Sequence, residues 1–123
     1  MKRNMDLCRL ILFKIEAEYK STALYNLNID GYDIETVAYH CKLLFNAGLL
    51  ESYKPTYGDN RIYAFSVGSL TWEGHDFLDK IRENTIWNRT KKKIKENALP
   101  FTIEVIKSVA TAIINKRLEG LLQ

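Results

Sequence analysis

Apolar positions along this chain follow two different periods. From about Asn4 to Tyr19 the residues Cys8, Ile11, Leu12, Ile15 and Tyr19 fall on one side of a helix. Asn4 is placed to cap it, and Asp6 lies in the first turn, where a carboxylate is favourable. The helical period then lapses. Between Lys20 and Asp33, Leu24, Asn26 and Asn28 alternate with Tyr25, Leu27 and Ile29. That predicts a short strand or extended segment, with a turn at Asp30-Gly31. Helical spacing returns from Asp33, a good N-cap, through Ile34, Val37, Ala38, Cys41, Leu44 and Phe45. Gly48 supplies a left-handed stop.

Leu49 to Lys54 and Arg61 to Val67 predict the two strands of a hairpin. Pro55 to Asn60, rich in turn formers, is expected as the loop between them. Thr71 should cap a third helix that fades near Asn84. Trp72, Phe77, Leu78 and Ile81 are expected to be buried against the first two helices. A further helical piece covers about Thr85 to Glu96, with Trp87, Thr90 or Lys91, and Ile94 on one side. Asn97 to Pro100 is a break. The last helix, about Thr102 to Leu118, carries an apolar stripe of Ile103, Ile106, Val109, Ala110 and Ile113.

This order predicts an α+β fold: a winged-helix-like domain (helix, short strand, helix, β-hairpin, helix) with a C-terminal helical extension. The expected division is 1–96 for the winged-helix-like domain and 97–123 for a C-terminal helix that packs on the core or forms a dimer. The chain has 123 residues, enough for one domain with a real core. Its net charge of +3 permits an acidic partner without demanding one. Cys8 and Cys41 lie on apolar helix faces outside any CxxC pair, so they are expected as small buried hydrophobes in a reducing cytosol, with a disulfide or ligand role as the alternative. The start runs straight into an amphipathic helix, so no signal peptide is expected. No apolar run approaches the ~20 residues of a membrane span.

Three stretches carry candidate chemistry. In a winged helix-turn-helix, the helix before the hairpin enters the major groove. Here its solvent-facing positions should be Glu35, Thr36, Tyr39, His40, Lys42, Leu43 and Asn46. Asp33 and Glu35 at its start would repel phosphate, and the preceding helix of the motif looks extended. Both points count against base readout. The hairpin is a better phosphate contact, with Lys54 and Arg61 beside Tyr53, Tyr57 and Tyr63, although such residues are also ordinary on an exposed hairpin face. The strongest electrostatic signal is Arg89, Lys91, Lys92, Lys93 and Lys95 next to Trp87. The competing reading is a solvated helix face.

The two histidines suggest no metal site, because the adjacent His40 and Cys41 point about 100° apart on a helix. Glu73, His75, Asp76 and Asp79 read instead as capping and backbone-bonding groups. No P-loop, GxSxG or HExxH is present. The expectation is therefore no catalytic residue, no cofactor and no enzyme.

The segments Met1 to Leu7, Tyr39 to Leu50 and Leu70 to Arg82, the last including Leu-Thr-Trp-Glu-Gly-His, together with Trp87, resemble a family of small bacterial and prophage proteins of unknown function, DUF2513. The layout is also similar to that of the YjcQ family, whose fold is a winged helix. The resemblance covers nearly the whole chain. It implies a winged-helix fold and a phage or prophage setting, and it implies no activity and no functional residues. The expected function is thus a cytoplasmic, transcription-regulator-like module on double-stranded DNA. Its phosphate contacts would be Lys54, Arg61, Arg89, Lys91, Lys92, Lys93 and Lys95. The alternative is an adaptor of phage origin that binds a host or phage protein. A homodimer through the C-terminal helix is a further expectation, and a membrane partner is not expected.

Overall fold

The computed structural model describes residues 1–122. It is an α+β fold of five helices and one small antiparallel sheet. In chain order these are α1 (Met5–Glu18), β1 (Leu24–Tyr25), α2 (Ile34–Asn46), β2 (Tyr53–Gly58), β3 (Arg61–Val67), α3 (Trp72–Ile81), α4 (Asn84–Glu96) and α5 (Ile103–Leu121). The chain forms two compact units, one from Met1 to His75 and one from Asp76 onward. The boundary between the units falls inside α3.

In the first unit, α1 starts where Asn4 accepts a bond from the Leu7 N–H at 3.1 Å. Its buried face is Leu7, Cys8, Ile11, Leu12 and Ile15, and it packs against α2. Asp33 caps α2 by accepting from the Thr36 N–H at 2.8 Å. The exit from α2 is a Schellman turn. Gly48, at φ +81°, donates to Phe45 O at 3.0 Å, and Leu49 donates to Leu44 O at 2.9 Å.

The buried stripe of α2 differs from the expected one. Val37, Ala38, Cys41 and Leu44 are buried, but Ile34 and Phe45 at its two ends are exposed. His40, expected to face solvent, is 1% exposed. The cause is polar: its Nε2 accepts the Asn4 N–H at 2.8 Å, and its Nδ1 lies 2.8 Å from the Thr36 carbonyl oxygen. A histidine with both ring nitrogens satisfied can be buried at little cost.

The sheet runs β1-β3-β2, all antiparallel. Asn26 follows β1 at φ +49°; its N–H donates to Phe65 O and its side-chain oxygen accepts the Phe65 N–H. The hairpin is longer and tighter than expected. Pro55 to Gly58 belong to β2, and the turn is only Asp59-Asn60. Both turn residues are left-handed, at φ +52° and +62°, the pattern of a type I′ turn whose twist matches the strands. Pro55 is tolerated because β2 is an edge strand. Ahead of β2, the segment from Leu49 is no regular strand: Leu50 makes an isolated bridge to Leu70.

Thr71 opens α3 as expected, accepting the Gly74 N–H at 2.9 Å. Its own hydroxyl donates to Gly48 O at 2.6 Å. Phe77, Leu78 and Ile81 are buried, but Trp72 is 79% exposed. At about 100° per residue, Trp72 stands some 120–140° around the helix from Phe77 and Leu78. In the second unit α4 and α5 pack on each other; the buried residues are Ile86, Trp87, Thr90 and Ile94 on α4 and Ile106, Ala110 and Ile113 on α5. Cys8 and Cys41 are buried free thiols, and burial pushes each up to about 12.

Candidate nucleic-acid interface

Charge is unevenly divided between the units. Met1 to His75 hold eight Lys and Arg against nine Asp and Glu, a net −1. From Asp76 onward there are ten against six, a net +4, which sums with the first to the +3 of the chain. The hairpin therefore belongs to a nearly neutral, slightly acidic unit, and the excess cation lies on α4 and α5.

The tip of the hairpin is exposed. Tyr63 is 76% and Tyr57 64% exposed, and Lys54 and Arg61 lie in the open on the same two strands. Lys54 stands opposite Ser66 and Arg61 opposite Gly58. The two cations are thus about four residues apart along the ribbon, roughly 13 Å, too far for one phosphate. Their electrostatic states differ. Lys54 has no ion-pair partner among the described residues. Arg61 Nε lies 3.1 Å from Glu35 Oε1. At the base of the hairpin, Tyr53 packs against the Phe65 ring. Burial, followed by the neighbouring Tyr57 and Cys41, raises its phenol to about 12, so Tyr53 stays neutral.

The start of α2 is a poor surface for phosphate. Bonds from the Thr36 side chain and N–H hold the Asp33 carboxyl below its ordinary value, so it remains charged. Glu35 adds a second carboxylate, and His40 is committed to the interior. Of the positions expected to face a groove, Lys42 is the fully cationic one, and it is exposed.

The five cations of α4 are splayed around the helix. Its buried side is Ile86, Trp87, Thr90 and Ile94. At about 100° per residue, Arg89 and Lys93 flank one edge of that side, Lys91 flanks the other, and Lys92 and Lys95 point away. Lys91 Nζ sits 5.3 Å from the centre of the Trp87 ring, a cation–π contact. Lys92 pairs with Glu96 at 3.8 Å. Arg89, Lys93 and Lys95 have no ion-pair partner among the described residues. Sequence reasoning missed Lys116, which joins Arg89 and Lys93 at a cleft between α4 and α5. Helical periodicity places a residue on a face of its own helix, but it does not reveal which side chains of a neighbouring helix that face will meet.

Among the described residues no three or more His, Cys, Asp or Glu side chains come together as a metal site. No helix among them is long and apolar enough to cross a membrane. His75 Nδ1 lies 3.9 Å from a Glu16 carboxylate oxygen, an exposed contact.

No solved structure matches the chain. A protein of Haemophilus influenzae Rd, named only as an uncharacterized protein, is 43% identical over 119 residues, which cover 96% of this chain and 99% of that protein. The likeness therefore includes α5. The family model described as hypothetical protein (DUF2513) matches residues 2–100, and the chain belongs to that family.

Proposed function

We propose that this chain is a non-enzymatic, winged-helix-like binding module of phage or prophage type whose ligand is double-stranded nucleic acid. The observation that carries the reading is the type I′ hairpin. It follows α2 and presents Tyr57 and Tyr63 beside Lys54 and Arg61 in the open. The sheet order β1-β3-β2, with the hairpin directly after a helix, supports the winged-helix assignment. Cationic and aromatic side chains on a ribbon suit a phosphate backbone. The cations of α4 supply further phosphate contacts. Contact is to the backbone and not to base edges, because α2 begins with Asp33 and Glu35. Binding of this kind weakens steeply with salt.

The test is fluorescence anisotropy of labelled mixed-sequence duplex DNA at low and then physiological salt. Binding that falls steeply with salt, and is lost when Lys91, Lys92 and Lys93 are all replaced by Glu, is the expected result. No binding at low salt, or unchanged binding by that variant, overturns the reading.

A second reading, a protein-interaction adaptor, is favoured by the Glu35–Arg61 pair and the net negative charge of the first unit. Its signature is absence of duplex binding together with one reproducible partner protein. Leu118, Leu121 and Leu122, exposed toward the end of α5, support a homodimer through that helix. Sedimentation across a concentration series tests it, and a monomer throughout sinks it.

A further inference from the structure

The cleft between α4 and α5 holds about 370 Å³ and combines two properties. Its rim is cationic. Arg89 and Lys93 are four residues apart on α4, so they stack one turn apart on the same edge. Lys116 of α5 also lines the cleft. Among the described residues none of the three has an ion-pair partner and no carboxylate lines the space. The neighbouring Arg117 is held elsewhere by a two-point bridge to Glu83, at 2.9 and 3.3 Å.

Its floor is mainly aliphatic. Val109, Ala112 and Ile113 follow the i, i+3, i+4 spacing of one face of α5, Leu99, 45% exposed, adds to the apolar wall, and Asn97 and Ser108 are the polar residues of the lining.

We propose that this cleft docks an acidic amphipathic segment of a partner protein. Its apolar side chains would lie on Val109, Ala112 and Leu99, and its carboxylates would meet Arg89, Lys93 and Lys116. Both parts of the surface are then used. A nucleic-acid backbone would engage the rim but cover the floor with hydrated phosphate, and the floor offers no aromatic face for a base, since Trp87 is buried. An apolar anchor with charges around it is the usual pattern of helix-in-groove recognition. The inference goes beyond the nucleic-acid reading and does not rest on it.

The test titrates the full chain into a fluorescein-labelled peptide of Leu and Glu with leucines at i, i+3, i+4 and i+7. A peptide of the same composition, scrambled so that no leucine face forms, is the control. Micromolar binding of the first is expected, with the scrambled peptide weaker by about tenfold or more. Ala112→Trp, which fills the cleft without changing a charge, should weaken the amphipathic peptide by about tenfold or more while leaving duplex DNA binding, if present, within about twofold. Lys116→Glu, at an exposed position, should do the same to the peptide and carries the test if Ala112→Trp folds poorly. Equal binding of the two peptides, no binding of either, or full binding by Lys116→Glu overturns the proposal. Loss of DNA binding in a folded Ala112→Trp variant also overturns it, because the cleft would then be part of the nucleic-acid surface.

Discussion

The backbone N–H of Asn4 donates to Nε2 of His40 at 2.8 Å, joining the entry of α1 to the middle of α2. The other ring nitrogen faces the Thr36 carbonyl at 2.8 Å. A backbone N–H can only donate and a carbonyl can only accept, so the proton of the neutral ring must be on Nδ1. Nitrogen-15 NMR of the imidazole should report that tautomer. His40→Phe keeps the bulk but leaves the Asn4 N–H without its acceptor. Loss of the two bonds should cost about 1–3 kcal/mol in urea denaturation. A value near zero would mean that the histidine is only a space filler.

Gly74 is the second element of close packing in the first unit. A Cβ placed there would overlap the Leu49 carbonyl, and that oxygen already accepts the Thr71 N–H at 3.0 Å. The clash is with backbone, which cannot rotate away. Gly74→Ala should therefore lower stability by about 1–3 kcal/mol or more, although alanine is the better helix former. Gly58→Ala is the control, since its nearest neighbour would be the Tyr63 Cβ at an ordinary 3.9 Å. Thermal melts of the two variants should differ clearly, and equal melts would remove the argument.

The contrast between Gly74 and Trp72 shows what the sequence carries and what it does not. Caps are local: Asn4, Asp33, Thr71 and Gly48 act within a few residues, and all four are legible in the pattern. The apolar stripes of α1 and α4 are legible for the same reason. Trp72 misleads because size argues for burial while its angular position on α3 argues against it, and position decides. Pro55 and Gly58 resemble a loop because turn formers also suit an irregular edge strand. The extra length of the hairpin depends on Asp59 and Asn60 both accepting left-handed backbone, a preference weaker than glycine's and harder to read. His40 was hidden because its partner, Asn4, is 36 residues away. Of the candidate site, the positions of Lys54 and the α4 cations were legible. The Glu35 bond to Arg61 and the meeting of Lys116 with Arg89 and Lys93 were not, since each joins residues far apart in sequence.

Cys8 and Cys41 should make the fold sensitive to alkali. Burial raises both thiols from 9.0 to about 12 in the folded chain, with Arg3 slightly opposing the shift at Cys8 and Cys8 adding to it at Cys41. Between those values the unfolded chain loses protons that the folded chain keeps, so stability is full below about pH 9 and falls as pH rises toward 12. Each group contributes a slope of at most about 1.4 kcal/mol per pH unit. The double variant Cys8→Ala, Cys41→Ala will be less stable at neutral pH from lost packing. Its decline above pH 9 should nevertheless be shallower in chemical denaturation. In the unmodified protein, thiol reagents should label neither cysteine until the chain unfolds. Rapid labelling under native conditions would contradict the burial.

Thr90 presents the opposite case, a polar group whose removal should help. Its hydroxyl is fully buried in α4 and has no hydrogen-bond partner among the described residues. Thr90→Val keeps the branched shape and removes the unsatisfied group. The expected result is a neutral to stabilising change of up to about 1 kcal/mol in denaturant unfolding. A destabilisation of similar size would show that the hydroxyl has a partner in solution.

The Glu35–Arg61 pair connects stability to the proposed ligand. Its side chains are 44% and 76% exposed, so solvent screens the pair and its loss should cost less than about 1 kcal/mol. Its effect on binding should be larger. While Glu35 holds Arg61, it competes with phosphate for the guanidinium and adds its own repulsion. Glu35→Gln removes that charge and leaves Arg61 available to the duplex. On the nucleic-acid reading, this variant should bind labelled DNA several-fold more tightly at low salt. Its log-affinity should also fall more steeply with log salt, by up to about 0.9 for one added phosphate contact. Unchanged affinity and slope in a folded Glu35→Gln protein would remove the hairpin from the DNA surface and leave the cations of α4 and α5 to test.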